Sequence, residues 1–150
     1  MAQNFPLKPL LQIAETQTGT AAAQLGVLNR QLREQEEKMR MLSGFRADYQ
    51  ERLRRKTSAG LDGAGLRNFH EFLERLERAI AQQQAAVADA RARAAAGLHD
   101  WQLKQRKFKA FDKLSQRFDL VTQRRDATRE QKLQDVFASR ANPGKARARG

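Results

Sequence analysis

The sequence predicts an all-α protein, a long antiparallel two-helix coiled-coil hairpin whose second helix is the longer. Three observations predict it. An apolar seam recurs at alternating steps of three and four, one glycine-rich break divides that seam, and Pro6, Pro9 and Pro143 leave the stretch between them free of proline. Steps of three and four average 3.5 residues, the period at which one narrow stripe of a helix stays turned toward a partner helix. The composition agrees, since Ala, Leu, Lys, Arg and Glu make up about half of the chain.

The first element is a helix expected over about 8–57. Its seam runs Leu7, Leu11, Ala14, Thr18, Ala21, Leu25, Leu28, Leu32, Gln35, Met39, Leu42, Arg46, Tyr49, Leu53. The connection is expected at about 58–66, where Gly60, Gly63 and Gly65 fall within six residues and each costs about 1 kcal/mol in a helix interior. A short connection makes the two helices antiparallel neighbours. Asn68 followed by Glu71 resembles a capping pair for the second helix, with Leu66 as a hydrophobic staple outside it.

The second helix is expected over about 67–140. Its seam runs Leu66, Phe69, Leu73, Leu76, Ile80, Gln83, Val87, Ala90, Ala94, Gly97, Trp101, Lys104, Phe108, Phe111, Ser115, Phe118. If partner numbers add to 122, the bend falls at Leu61 and large residues meet small ones: Trp101 faces Ala21, Phe108 faces Ala14, and Gly97 faces Leu25. Thr18 and Lys104 then share a layer. Residues 1–141 form one domain in this reading, and 142–150, with Lys145, Arg147 and Arg149 among Pro, Gly and Ala, form a disordered basic tail.

The same register places Leu7 opposite Ser115 and Met1 opposite Val121, so residues from about 122 onward have no partner helix. An overhang of ~19 residues is ~28 Å of helix at 1.5 Å per residue. It retains Leu133, Val136 and Phe137, each worth ~1.5–3 kcal/mol when buried. The overhang reads either as a frayed helix with scattered exposed apolar residues or, the favoured reading, as a docking segment that orders against another protein. Phe45 and Phe72 lie beside the seam, each one position before a seam residue; either they widen the core, or with Tyr49 and Leu76 they form an exposed aromatic patch near the bend that marks a protein interface.

The net charge of +12 is uneven: residues 1–75 hold twelve basic against nine acidic side chains, and residues 76–150 hold seventeen against eight. Such a half attracts acidic partners over about a Debye length, ~8 Å at physiological salt. The run Lys104, Arg106, Lys107, Lys109, Lys113, Arg117, Arg124, Arg125, Arg129, Lys132 is interleaved with Phe108 and Phe111, a pattern of nucleic-acid binding. Both phenylalanines sit on the seam, however, and a charge run on a long helix is also the ordinary solvated face.

Catalysis is not expected. There is no cysteine, no glycine-rich phosphate loop after a strand and no nucleophile elbow, and His70 and His99 face no convergent group. Neither a cofactor, a metal nor a small-molecule substrate is expected. No stretch approaches the ~18 uncharged apolar residues of a membrane span, and the start lacks the pattern of a signal peptide. A cytoplasmic protein is expected.

Three stretches carry a family resemblance: Phe5-Pro6-Leu7-Lys8-Pro9-Leu10-Leu11-Gln12-Ile13-Ala14-Glu15 at the start, Asn68-Phe69-His70-Glu71-Phe72-Leu73-Glu74-Arg75-Leu76-Glu77-Arg78-Ala79-Ile80 after the break, and Arg125-Asp126-Ala127-Thr128-Arg129-Glu130-Gln131-Lys132-Leu133-Gln134-Asp135-Val136-Phe137 near the end. In their order the chain resembles the FliJ family, the small soluble component of the flagellar type III export apparatus. The resemblance implies a coiled coil similar to the central stalk subunit of rotary ATPases, which enters the hexameric ring of the export ATPase and promotes its activity. It also implies contact with the membrane export-gate protein, handling of export chaperones, and a location at the membrane of the flagellar base. Carried onto this sequence, the gate-contacting patch falls on Leu42, Phe45, Tyr49, Phe72, Leu76 and Ala79, with Gln83 at its margin, and the ATPase-facing part is assigned to the overhang, with Leu133, Val136, Phe137 and the nearby Arg124, Arg125 and Arg129. Two other readings stay open: a basic coiled-coil nucleic-acid-binding protein, and the equivalent component of a virulence-type III secretion system.

Overall fold

The computed structural model describes residues 4–141, and these form two α-helices, α1 (Lys8–Ser58) and α2 (Gly63–Ala141), with no strand among the described residues. The fold is an all-α two-helix hairpin. The tail expected at 142–150 and the contact expected between Met1 and Val121 lie outside the described residues.

The seam is the inner surface of both helices. Every seam residue is buried or half-buried except Leu7, which is 37% exposed just ahead of α1. The most enclosed positions are small or aliphatic: Ala14, Ala21, Leu76, Ile80, Val87, Ala90 and Ala94. A two-helix interface is one side chain deep, so larger seam residues such as Leu25, Trp101 and Phe108 keep one flank in water.

The described residues divide into two compact units, one made of residues 19–103 and the other of residues 4–18 with 104–141. In the first, the two helices run antiparallel from the bend. Gln83 Nε2 donates to the backbone carbonyl of Gln35 at 2.9 Å and to its side-chain Oε1 at 2.8 Å. A constant-sum register would set Gln83 opposite Met39, so here the side chain reaches one turn along α1. The reason is polarity, because a half-buried amide has no partner at Met39 and two acceptors at Gln35. Gly97 lies so near α1 that a Cβ there would stand 2.6 Å from Leu28 Cδ1 and 3.7 Å from Leu25 Cδ1. Large against small holds, with Leu28 nearer than the expected Leu25.

In the second unit the start of α1 lies against the stretch of α2 that begins at Lys104. Thr18 Oγ1 is 3.1 Å from the Lys104 carbonyl and 2.8 Å from that of Ala14, and its one proton is shared between them. Thr18 and Lys104 thus share a layer, joined through the Thr18 hydroxyl and the Lys104 backbone. Ahead of α1, the Phe5 ring packs on Phe118 with centroids 5.6 Å apart, closing the seam where Leu7 does not.

The bend corrects one expectation. Asn68 and Glu71 are not the cap of the second helix: α2 begins at Gly63, and Asp62 Oδ1 accepts the Gly65 N–H at 2.8 Å. The first-turn N–H groups have no partner inside the helix, so Asp62 satisfies one of them, and glycine there exposes no hydrogen bond that interior glycine would weaken. Four residues, 59–62, make the connection in place of the nine expected. At the other side, Leu61 N–H donates to Lys56 O at 3.1 Å and Gly60 N–H to Thr57 O at 3.3 Å, with Gly60 at φ 96°. This is the Schellman closure of α1, which needs a left-handed residue and finds glycine.

Candidate functional site

The unit near the bend gathers aromatic rings on one flank. Tyr49, from the α1 seam, packs against seam residue Phe69 of α2 at 4.9 Å between centroids, and against Phe72, one turn further along α2, at 4.2 Å. Lys56 Nζ stands 5.2 Å from the centre of the Phe69 ring, a cation–π contact on the rim. Phe72 nevertheless remains 45% exposed, because Tyr49 covers one face only.

The seven residues expected to meet a membrane-gate partner separate by burial. Leu76 is 8% exposed and belongs to the core. Leu42, Tyr49, Ala79 and Gln83 are half-buried, and Gln83 spends its amide on Gln35. Phe45 and Phe72 are exposed; Phe45 has no ring partner among the described residues, so it does not join the Tyr49 cluster. Met41, four residues before Phe45 on the same side of α1, is also exposed and extends the apolar surface. The sequence carried that signal in the i, i+4 spacing of Met41 and Phe45. Arg46 and Glu77 form an interhelical ion pair of 3.6 Å in the same unit.

In the other unit, Thr122 is the last half-buried residue, and every described residue from 123 to 141 is exposed. Leu133, Val136 and Phe137 are open to solvent, Phe137 at 70%. Arg124, Arg125 and Arg129 are exposed beside them and line a shallow open groove with Val121, Thr128 and Lys132. Continuing the seam beyond Thr122 in steps of three and four gives Arg125, Arg129, Lys132 and Val136, so the stripe that is apolar under α1 turns basic where α1 ends. Leu10 and Ile13, on the outer side of α1, are exposed too and were not singled out from the sequence.

The electrostatics are those of a solvated surface. Glu51 is held at about 2 by its hydrogen bond to Arg54, with Arg55 adding to the effect; Arg54 and Arg40 are raised by Glu51 and Glu37 respectively. Among the described residues no group of three His, Cys, Asp or Glu side chains is placed to hold a metal ion, and no helix is long and apolar enough to cross a membrane. The phenylalanines of the basic run, Phe108 and Phe111, are half-buried on the seam. What the arrangement presents to other molecules is therefore two apolar surfaces flanked by charge.

The chain matches the family model described as Flagellar FliJ protein over residues 3–147. It is 28% identical over 141 residues to the Flagellar FliJ protein of Escherichia coli (strain K12), covering 94% of this chain and 96% of that one. The Flagellar FliJ protein of Salmonella typhi is likewise 28% identical over 141 residues, with the same coverage of both chains.

Proposed function

The chain belongs to the flagellar FliJ family, and from that premise we propose that it is a non-enzymatic stalk of flagellar type III export which binds the hexameric export ATPase, promotes its activity and couples it to the membrane export gate. Handling of export chaperones is part of the same reading. The observation that carries it is the solvent-exposed stretch 123–141 of α2, which keeps three large apolar side chains while nothing else in the described chain covers them. Exposed apolar side chains grouped in this way mark a protein interface.

Two docking surfaces support the coupling. Leu133, Val136 and Phe137, with Arg124, Arg125 and Arg129, are assigned to the ATPase ring. Phe45 and Phe72 are assigned to the gate, with Leu42, Tyr49, Ala79 and Gln83 around them and Leu76 holding the surface from beneath. A cytoplasmic location with peripheral attachment at the flagellar base accompanies this assignment.

A pull-down with the export ATPase tests the first surface. Removal of residues 122–141 should abolish capture, and undiminished capture would refute the assignment. Phe72→Asp tests the second. It should weaken gate binding at least tenfold with helicity retained, because the ring is only partly covered; loss of helicity would show that the ring is structural.

A further inference from the structure

α2 carries a second charged surface, which shares only its last member, Arg124, with the docking assignments. Arg106, Lys109, Lys113, Arg117 and Arg124 follow one another at steps of three, four, four and seven, so they share one face of the helix. That face is turned away from the seam residues Phe108, Phe111, Ser115 and Phe118, and all five cations are exposed. No carboxylate falls on it between 102 and 131. Asp112 lies to the side and accepts a hydrogen bond from Gln116 at 3.1 Å. Among the described residues, none of the five takes part in an ion pair.

Like charges at i,i+3 and i,i+4 repel, and successive members of the row from Arg106 to Arg117 stand at those spacings. From Arg106 to Arg117 successive members are ~4.5–6 Å apart along the axis, less than a Debye length, so salt at cellular strength does not remove the repulsion. An anionic surface would. The row from 106 to 124 follows one face of α2 for ~27 Å, and it is flanked by exposed aliphatic residues, Leu114, Leu120 and Val121.

We propose that this outer face of α2 adsorbs directly to anionic lipid head groups. A plane of phosphates meets a row of cations set along the helix axis over its whole length, whereas each strand of a nucleic-acid duplex winds away from that axis within half a turn. The flanking aliphatic side chains suit the boundary between head groups and acyl chains, and the phenylalanines that would stack on bases are turned into the seam. The contact is with the bilayer itself and is separate from any contact with a gate protein.

Flotation of the full chain with phosphatidylglycerol–phosphatidylcholine vesicles, and with pure phosphatidylcholine, tests it. Binding should require the anionic lipid and weaken as salt rises. Each cation removed should cost ~fivefold in partition, so Arg106→Gln, Lys109→Gln, Lys113→Gln and Arg117→Gln together should cost on the order of a hundredfold or more. The same number of neutralisations at exposed Arg30, Arg33, Lys38 and Arg52 should cost far less, and Arg106→Lys with Arg117→Lys should retain binding. Circular dichroism follows the fold of each variant. Equal loss in the Arg30 set would reduce the effect to net charge and overturn the proposal. So would unchanged binding by the quadruple variant, or tighter binding to duplex DNA that the same four substitutions abolish.

Discussion

Gly60 and Gly26 show how one residue type does opposite things in this chain. Gly60 sits at φ 96° in the closure of α1, where a side chain is strained, whereas Gly26 lies inside α1 with open space around its missing Cβ. Gly26→Ala should therefore stabilise by about 1 kcal/mol through helix propensity, and Gly60→Ala should destabilise by about 1 kcal/mol. Thermal unfolding followed by circular dichroism separates the two, and a common sign would contradict the assignment. Glu51 supplies a pH test at the same scale. Its folded value of about 2 lies below the ordinary carboxylate value of 4.5, so its favourable contact with Arg54 is fully present above about pH 4.5 and is lost as pH falls toward 2. The side chain is solvated, so the effect is small. Glu51→Gln should flatten that part of the acid unfolding profile and leave stability near pH 7 changed only slightly.

The two helices are held in register by a few polar contacts inside a seam that is otherwise apolar. Gln83 donates to the carbonyl and side-chain oxygens of Gln35, and Thr18 Oγ1 donates to the backbone carbonyl of Lys104. Polar seam residues lower stability and select one alignment. Replacing Gln35 and Gln83 together by Leu should raise the unfolding temperature while broadening the population of alignments, seen as dimers or larger species in light scattering; a less stable, strictly monomeric product would contradict this role. The elements themselves were legible in the sequence because the 3.5-residue period is a property of side-chain spacing alone, and it marks nearly all of the residues that the structure encloses. Asp62 was not legible as the cap. Three glycines in six residues read as a loop, yet two of them lie in the first turn of α2, where unpaired N–H groups make glycine tolerable. Phe5 was missed as well, since it precedes the helix and enters the seam through its ring contact with Phe118.

At the scale of the whole chain, the seam explains the fold and leaves function to the surfaces it does not cover. The change from covered to uncovered α2 at Thr122 was readable by numbering alone, because α1 has finite length and each residue of α2 needs a partner position. The aromatic surface near the bend was readable only in part. Period places Phe45 and Phe72 outside the seam but does not give the direction of each ring, and the structure pairs Phe72 with Tyr49 while leaving Phe45 without a ring partner. Membership of the flagellar FliJ family supplies the setting in which such surfaces act. The central claim is that the end of α2 stabilises nothing within the chain and serves a partner instead. The most direct test is the triple variant Leu133→Asp, Val136→Asp and Phe137→Asp, measured for its own unfolding temperature and for its stimulation of the export ATPase in a titration. The unfolding temperature should stay within a few degrees of the parent and stimulation should fall at least tenfold; a large loss of stability, or stimulation at the parent level, would overturn the assignment of this segment to a partner.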